Sequence, residues 1–504
     1  MGYLRAIFAG AAICLAQPVF AFDTGHHIDA TWRAGDHQGF SSDARRLMQV
    51  ANWLVDYYSE SPTAPEDVEE ALGKMHFDNL FSTEHVDHNW KYLLTNYQNA
   101  VSFVVDDDDY NDAQKAVMVL TMNGMMLHTI QDFYTHSNWS SFYPKTSSGY
   151  NGATYLSKGL PPTASSSNPL QTGYYPDADS TNAPDTAFPH GTYFTGGNKD
   201  SHIRPSWDEA FVFSYIESIR FLIWAQDVVD AADGSLWDNR RSLKLSSSDD
   251  SDLKDDYEAA QDVSMFVKGL TDSTNVNGHY KGNLSGDRDE FLTASSDFVS
   301  SSASFVVKLV RDTKLQDLLV PCLNDFDTQT CPTLTTQFSE TGEIVQNMVS
   351  VNIMGIEELN SDTDPAGDEP DYFPIVTIND QKMTDRVLQD IETYEDDDSD
   401  YMIEDQPTSA WWLMYGRGTS HDTVSIKIEV YDADTGFFGD DDHIDISGDG
   451  HNVDITYTFA TGAISGDVGS GVHNSRATAA TSQGGPSGDY AKITFFVTHL
   501  PINY

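Results

Sequence analysis

An apolar run that ends in evenly spaced polar side chains is the feature that most constrains this chain. Residues 116–127 are almost entirely apolar, which predicts one buried helix. His128, Asp132 and His136 then follow at i, i+4 and i+8, and a helical advance of about 100° per residue puts them on one stripe. Two imidazoles and a carboxylate are typical metal ligands and are unfavourable to bury alone. The sequence therefore predicts a metal site built on a buried helix.

The composition is strongly acidic, with 28 Lys and Arg against 78 Asp and Glu and a formal net charge of −50. Such a surface repels nucleic acid, because phosphate binding normally requires Lys and Arg. We therefore expect no nucleic-acid partner. The carboxylates have two interpretations, solubility in a salty medium and calcium binding.

The first 21 residues combine a positive start, an apolar stretch of about ten residues and a small-residue cleavage site, which predicts a signal peptide. The apolar stretch is too short for a membrane anchor. We expect a secreted, soluble monomer whose mature chain begins at Phe22. Cys322 and Cys331 remain after cleavage and are expected to form a disulfide in an oxidising compartment, with two free thiols as the alternative.

The hydrophobic period changes along the chain. Helical periodicity dominates residues 22–339, and alternation typical of strands, separated by Gly- and Asp-rich turns, dominates residues 340–504. The predicted fold is multidomain, with an all-α N-terminal domain followed by an antiparallel β-sandwich.

Further His and Asp motifs surround the central one. They are a Gly-His pair at residues 25–26, WxxD at 53–56, HFD at 76–78 and His-Gly at 190–191. In this order, together with HxxxDxxxHSNW at 128–139, they resemble the zinc-dependent phospholipase C superfamily. Within that superfamily, the motifs resemble those of the secreted Pseudomonas- and Legionella-type phospholipases C and the related Het-C domains. The resemblance implies an all-α bundle that holds about three zinc ions in a cleft.

Carried over residue by residue, the resemblance implies a zinc ligand set. Its members are Phe22, through its free amine and carbonyl, and the side chains of His26, Asp56, His76, His128, Asp132, His136 and His190. Asp56 would bridge two ions and orient the attacking water as the catalytic residue. His27 stays open as the alternative to His26. Asp200 and His202 stay open as weaker ligands, because no His after position 136 is followed four residues later by a carboxylate.

The same resemblance implies phospholipid, with phosphatidylcholine favoured, as the substrate. Tyr134, Asn138 and Trp139 are the predicted substrate contacts, since aromatic rings suit a choline head group. Packing in the core is the alternative for these aromatic rings. The alternative functions are a zinc nuclease or phosphomonoesterase of the same fold, and a non-catalytic Het-C-like toxin that acts on membranes.

Two acidic loops in the C-terminal part resemble those of the calcium-dependent phospholipid-binding sandwich of protein kinase C and synaptotagmins. The implied calcium ligands are Asp364, Asp371, Asp432, Asp434 and Asp440. Oxygen ligands clustered on loops are what calcium requires. The resemblance implies a membrane surface as a partner, and a solvated acidic surface is the alternative.

Overall fold

A computed structural model describes most of the two predicted parts. The described residues are 24–60, 72–174, 183–191, 196–199, 205–244, 347–360, 372–379, 381–384, 400–402, 411–415, 423–432, 442–448, 450–468, 472–474, 477–485 and 490–503. The predicted signal peptide, the predicted disulfide, Phe22, Asp200 and His202 lie outside them.

Helices make up the described N-terminal part, as the periodicity predicts. They are α1 Thr24–His37, α2 Ser42–Glu60, α3 Thr83–Asp106, α4 Asp112–His136, α5 Trp139–Phe142, α6 Tyr155–Lys158, α7 Trp207–Ala232 and α8 Leu236–Arg241. A short 3₁₀ helix covers Lys74–His76. None of the helices in the described ranges has the length and apolar character needed to cross a membrane.

Helix α4 is the centre of this part and corresponds to the predicted buried helix. Asn111 begins it with a capping box, in which its side chain accepts from the Gln114 amide and the Gln114 side chain accepts from the Asn111 amide. Every residue from Ala116 to His136 is buried. Neighbouring helices α1, α2, α3 and α7 surround α4 and share one apolar core with it. Its polar side chains are therefore enclosed by protein.

Gly124 allows α2 to approach α4 closely. A Cβ atom at this position would clash with the backbone carbonyl oxygen of Met48 and with Ala51 on α2. The contact lies one helical turn before His128 on α4 and near Asn52 and Asp56 on α2. The missing side chain thus brings the polar faces of the two helices together.

Antiparallel strands make up the described C-terminal part. They are β2 Asn347–Asn360, β3 Tyr372–Ile378, β4 Gln381–Thr384, β5 Asp400–Met402, β6 Trp411–Tyr415, β7 Thr423–Asp432, β8 Asp442–Ile444, β9 Val453–Thr458, β10 Ala463–Gly466, β11 Val472–Asn474, β12 Ala477–Gln483 and β13 Tyr490–Asn503. A short strand of the helical region, β1 Tyr150–Asn151, precedes them in the chain.

These strands form two sheets with a common core. One sheet has the order β11-β12-β13-β2-β5, with β6 also on β2 and β1 on β13, and the other has the order β10-β9-β7-β3-β4, with β8 on β7. Alternate residues of β13, from Ala491 to Val497, are buried, which is the pattern of a strand with one face on a core. Val376 on β3 and Ile426 on β7 belong to the same apolar cluster as Ile493 and Phe495 on β13.

The end of β13 leaves this core and joins the helical one. Tyr150 and Asn151 of β1 pair in parallel with Ile502 and Asn503. Ile502, 6% exposed, and Met348 from β2 pack in the helical apolar cluster. The first sheet is therefore anchored to the helical part through the start of β2 and the end of β13, its two longest strands.

Candidate metal centre

Three groups of His and Asp side chains meet along one face of α4. They are His27 with Asp56 and His128, then His76 with His128 and Asp132, and finally Asp78 with His136 and His190. Within each group the ligand atoms all lie within 4.8 Å of one another. Each group can hold a metal ion.

The turn after the 3₁₀ helix points two side chains at α4. Phe77 and Asn79 both have left-handed backbone angles, with φ of 59° and 62°. This conformation is uncommon for a bulky residue and is held here by the packing of Phe77 between Trp90 and Phe133. As a result, His76 reaches the second group and Asp78, two residues later, reaches the third.

The first two groups share side chains. His128 Nε2 lies 3.1 Å from Asp132 Oδ2 and 3.7 Å from Asp56 Oδ1. Asp132 spans the pair of groups, since its Oδ1 lies 3.0 Å from His27 Nε2 and its Oδ2 lies 2.9 Å from His76 Nδ1. One imidazole nitrogen binds only one ion, so a carboxylate such as Asp132 or Asp56 has to complete the other group.

In the third group, the nitrogen lone pairs of two imidazoles, His136 and His190, point at each other. His136 Nδ1 lies 3.0 Å from the His76 carbonyl oxygen, which can only accept, so Nδ1 carries the proton. His190 Nδ1 lies 3.3 Å from the Gly191 carbonyl oxygen and carries the proton for the same reason. The two Nε2 atoms are then both acceptors, only 3.0 Å apart. Ligand nitrogens about 2 Å from one ion have roughly this separation, so the contact fits one metal ion held by both histidines.

Close backbone packing holds His190 in place. A Cβ on Gly173 would approach the His190 Cα to 2.8 Å, and the amide of Gly173 donates to the His136 carbonyl oxygen at 2.9 Å. Lys199, 6% exposed, donates from Nζ to the carbonyl oxygens of Thr135 and Ser137 at the end of α4. The segment that carries His190 is thereby fixed to the helix end that carries His136.

Burial and charge set the protonation of the donors. Burial lowers the pKa of His128 to about 3, while nearby Asp132 acts to raise that pKa and nearby His27 acts to lower it further. Burial would raise the pKa of Asp132, but the neighbouring imidazoles of His128 and His27 outweigh it and hold that pKa well below its usual range. Burial would also lower the pKa of His76, yet its hydrogen bond to Asp132 and the negative charges of Asp132 and Asp78 raise it. Neutral His128 and ionised Asp132 are the metal-binding forms.

The side chains of the three groups differ in solvent exposure. The side chain of His76 is 12% exposed, whereas those of His27, His128, Asp132 and His136 are fully buried. Among the described donors, His76 therefore marks the side of the centre that faces solvent.

The structure brings together Asp56, His76, His128, Asp132, His136 and His190 of the predicted ligands. It adds Asp78, which the prediction did not include as a ligand, and it contains His27, which the prediction left open as the alternative to His26. The side chain of His26 lies outside the described residues, and its neighbour His27 supplies the imidazole seen in the first group. Asp78 belongs to the HFD motif, which was the signal that could have identified it.

The predicted substrate contacts lie in the protein interior. Tyr134 donates from its hydroxyl to Glu217 Oε1 at 3.1 Å, and the buried Trp139 donates from Nε1 to the Ala153 carbonyl oxygen at 3.0 Å. The Asn138 side chain, partly buried, donates to the Pro169 carbonyl oxygen and accepts from the Gln171 amide. These contacts support the loops that surround the helix end after His136.

Of the predicted calcium ligands, Asp432 is the one whose backbone is described. It ends β7 and pairs with Tyr372 at the start of β3 and with Asp442 at the start of β8. The first acidic loop therefore ends, and the second begins and ends, at the same end of the second sheet. The side chain of Asp432 lies outside the described residues, as do Asp364, Asp371, Asp434 and Asp440.

No protein-family model and no curated protein matches this chain.

Proposed function

We propose that the chain is a secreted zinc-dependent phosphodiester hydrolase of the phospholipase C type. The observation that carries the proposal is the set of three adjacent His/Asp groups along α4. Imidazole and carboxylate together, without thiolate, are a donor set that zinc accepts in catalytic centres. The resemblance of the sequence motifs supplies the substrate class.

Zinc ions held a few ångströms apart would supply an activated water and neutralise charge on phosphoryl oxygens. The residues of the chain would perform the remaining tasks. Asp56, 1% exposed, would accept a proton from the attacking water and orient it. His76, whose side chain is 12% exposed, would be the first of these donors to meet an entering phosphate group. The buried aromatic residues that pack around α4 would exclude water from the side of the ions that faces the protein core.

The C-terminal sheets would bring the enzyme to its substrate. We propose that the acidic loops at the common end of β3, β7 and β8 bind calcium and contact a phospholipid surface. Calcium would neutralise part of the acidic surface, which otherwise repels anionic lipid. Sedimentation with liposomes in calcium and in chelator tests this step, and equal binding in both would contradict it.

A single comparison tests the enzymatic proposal. The metal content of the purified protein is measured, and phosphatidylcholine, single-stranded DNA and nitrophenyl phosphate are assayed with and without chelator. We expect about three zinc ions and chelator-sensitive release of the phosphorylated head group from the lipid. Cleavage of DNA or nitrophenyl phosphate in preference to the lipid would favour the nuclease or phosphomonoesterase, and bound zinc without hydrolysis would favour the non-catalytic toxin.

Asp56→Asn tests the residue assigned as the proton acceptor. An amide cannot accept the proton, so we expect lipid hydrolysis to fall at least 100-fold. Asp36→Asn is the matched control, because Asp36 pairs with Arg45 on the surface of the protein. Activity of the Asp56 variant equal to that of the control would overturn the assignment.

A further inference from the structure

A buried polar network lies directly beneath the first two groups and joins four helices. Its members are His27 and Thr31 on α1, Asn52 on α2, His128 and Gln131 on α4, and Ser214 and Ser218 on α7. All seven side chains are buried. Gln131 is at its centre, between the donors His128 and Asp132 in the sequence.

The donor and acceptor of each hydrogen bond in this network can be assigned in sequence, beginning at a backbone carbonyl group of α7. The Ser218 hydroxyl donates its one hydrogen to the Ser214 carbonyl oxygen at 2.7 Å, so toward Gln131 it can only accept. The Gln131 amide nitrogen therefore faces Ser218, at 3.2 Å. The Gln131 Oε1 must then point the other way, to His27 Nδ1 at 2.7 Å. Because Oε1 only accepts, His27 carries its proton on Nδ1 and its lone pair on Nε2.

The same logic continues to the second imidazole. Asn52 Nδ2 donates to Gln131 Oε1 at 3.2 Å and to Thr31 Oγ1 at 3.0 Å. The Asn52 Oδ1 is thus left for His128 Nδ1, at 3.3 Å. His128 must also carry its proton on Nδ1, and its Nε2 lone pair points at Asp56 and Asp132.

We propose that Gln131 and Asn52 are positioning residues that fix the tautomers of His27 and His128 and aim both Nε2 atoms at the metal. The proposal rests on the metal centre of the proposed function but needs no particular substrate. Partners of this kind hold the ring orientation of ligating histidines, and losing one weakens metal binding about 10- to 100-fold. A purely structural network would stabilise the core without selecting a tautomer.

Two substitutions at position 131 separate these roles. Gln131→Met keeps the size of the side chain and removes the acceptor for His27, whereas Gln131→Glu keeps an acceptor oxygen. Asn52→Leu and Asn52→Asp form the equivalent pair for His128. Asn123→Leu is the matched control, because Asn123 is buried on the same helix and bonds the Tyr97 hydroxyl at 2.6 Å, away from the donors.

The readouts are metal affinity, from competition with a chromophoric chelator, and the proton resonances of the cobalt-loaded protein. Exchangeable Nδ1 protons of histidines that bind cobalt through Nε2 are shifted out of the protein envelope. We expect Gln131→Met to weaken metal binding about 10- to 100-fold and to shift or remove one such resonance. We expect Gln131→Glu and Asn123→Leu to stay within about threefold of the parent and to keep all resonances.

Three results would overturn the proposal. They are unchanged affinity and resonances in Gln131→Met, an equal loss in Gln131→Met and Gln131→Glu, and a parent protein that binds no metal. Metal affinity is measured without lipid, so a protein that binds zinc but hydrolyses no phospholipid refutes the proposed reaction and leaves this inference standing.

Discussion

At the scale of single residues, Asp78 gives the most specific prediction for metal binding. It stands two residues after His76, in a turn with two left-handed residues, and its carboxylate lies within 4.8 Å of the ligand nitrogens of His136 and His190. It supplies a carboxylate to the third group, which the sequence after His136 lacks at the expected spacing. Asp78 and His190 would therefore hold the same ion.

Asp78→Asn is expected to remove one metal ion and leave the others. An amide oxygen is a weaker ligand for zinc than a carboxylate, and the first two groups do not use Asp78. Metal analysis after dialysis should give about one equivalent less per chain, and His190→Ala should give the same result. Asp36→Asn serves again as the control, and a full complement of metal in both site variants would refute the third group.

Glu209 should make stability fall as pH rises. Burial and the adjacent Asp208 raise the pKa of Glu209 from 4.5 to about 7. In that window the folded protein binds more protons than the unfolded chain, so the contribution is complete below the unfolded pKa and is lost as pH rises through the folded pKa. We expect a loss on the order of 2 kcal/mol between pH 5 and pH 8 from this group. Glu209→Gln stays neutral, so its denaturation curves should change less with pH, and equal changes in both proteins would contradict the assignment.

Sequence spacing was sufficient to predict which residues of α4 face one another, because i and i+4 positions on a helix are neighbours whatever the fold. It could not choose between His26 and His27, which differ by about 100° around α1, without knowing which side of α1 meets α4. Gln131 was not identified as part of the site either. Its role depends on a serine of α7, 87 residues away, and on the direction of a hydrogen bond.

At the scale of elements, the approach of α2 to α4 decides whether the centre can form. Gly124→Ala gains helix propensity of up to about 1 kcal/mol but places a Cβ against the Met48 backbone, which cannot turn aside. We expect a net loss of about 1–2 kcal/mol in unfolding free energy and weaker metal binding, since Asp56 moves away with α2. Gly73→Ala is the matched control, because nothing lies within 4 Å of the added Cβ. Unchanged metal affinity in Gly124→Ala would show that the helix spacing is not critical.

The spacing of hydrophobic residues predicted whether each element is a helix or a strand more readily than it predicted which elements pack beside it. Residues 349–353, 374–378, 424–430 and 491–497 alternate and lie within β2, β3, β7 and β13. Alternation gives a strand one buried face but does not say which strand supplies the hydrogen bonds. β2 pairs with β13, whose sequence is more than 100 residues away, and long-range pairing of this kind leaves no local signal.

At the scale of the whole molecule, the helical part and the first sheet are joined near the candidate metal centre. The Gly152 amide donates to the Asn503 carbonyl oxygen at the end of β13. The carbonyl oxygen of Gly152 accepts from the buried Arg220 at 2.6 Å, and that of Ala153 accepts from Trp139, three residues after His136. The last residues of β13 therefore support the loop that packs behind the end of α4. This contact gives the sheets a structural role beyond any membrane contact.

Ile502→Asp should weaken the helical part more than the sheets. The side chain is 6% exposed in the helical core, and a carboxylate there would be buried without a partner, which costs about 2–4 kcal/mol. Hydrogen exchange should increase in residues 150–156 and metal should be released faster to a chelator, while amides of β7 and β9 in the second sheet stay protected. Ile502→Leu keeps the apolar contact and should match the parent. Equal loss of protection in both sheets and in the helices would contradict this expectation. It would show that the helical part and the sheets unfold as one unit.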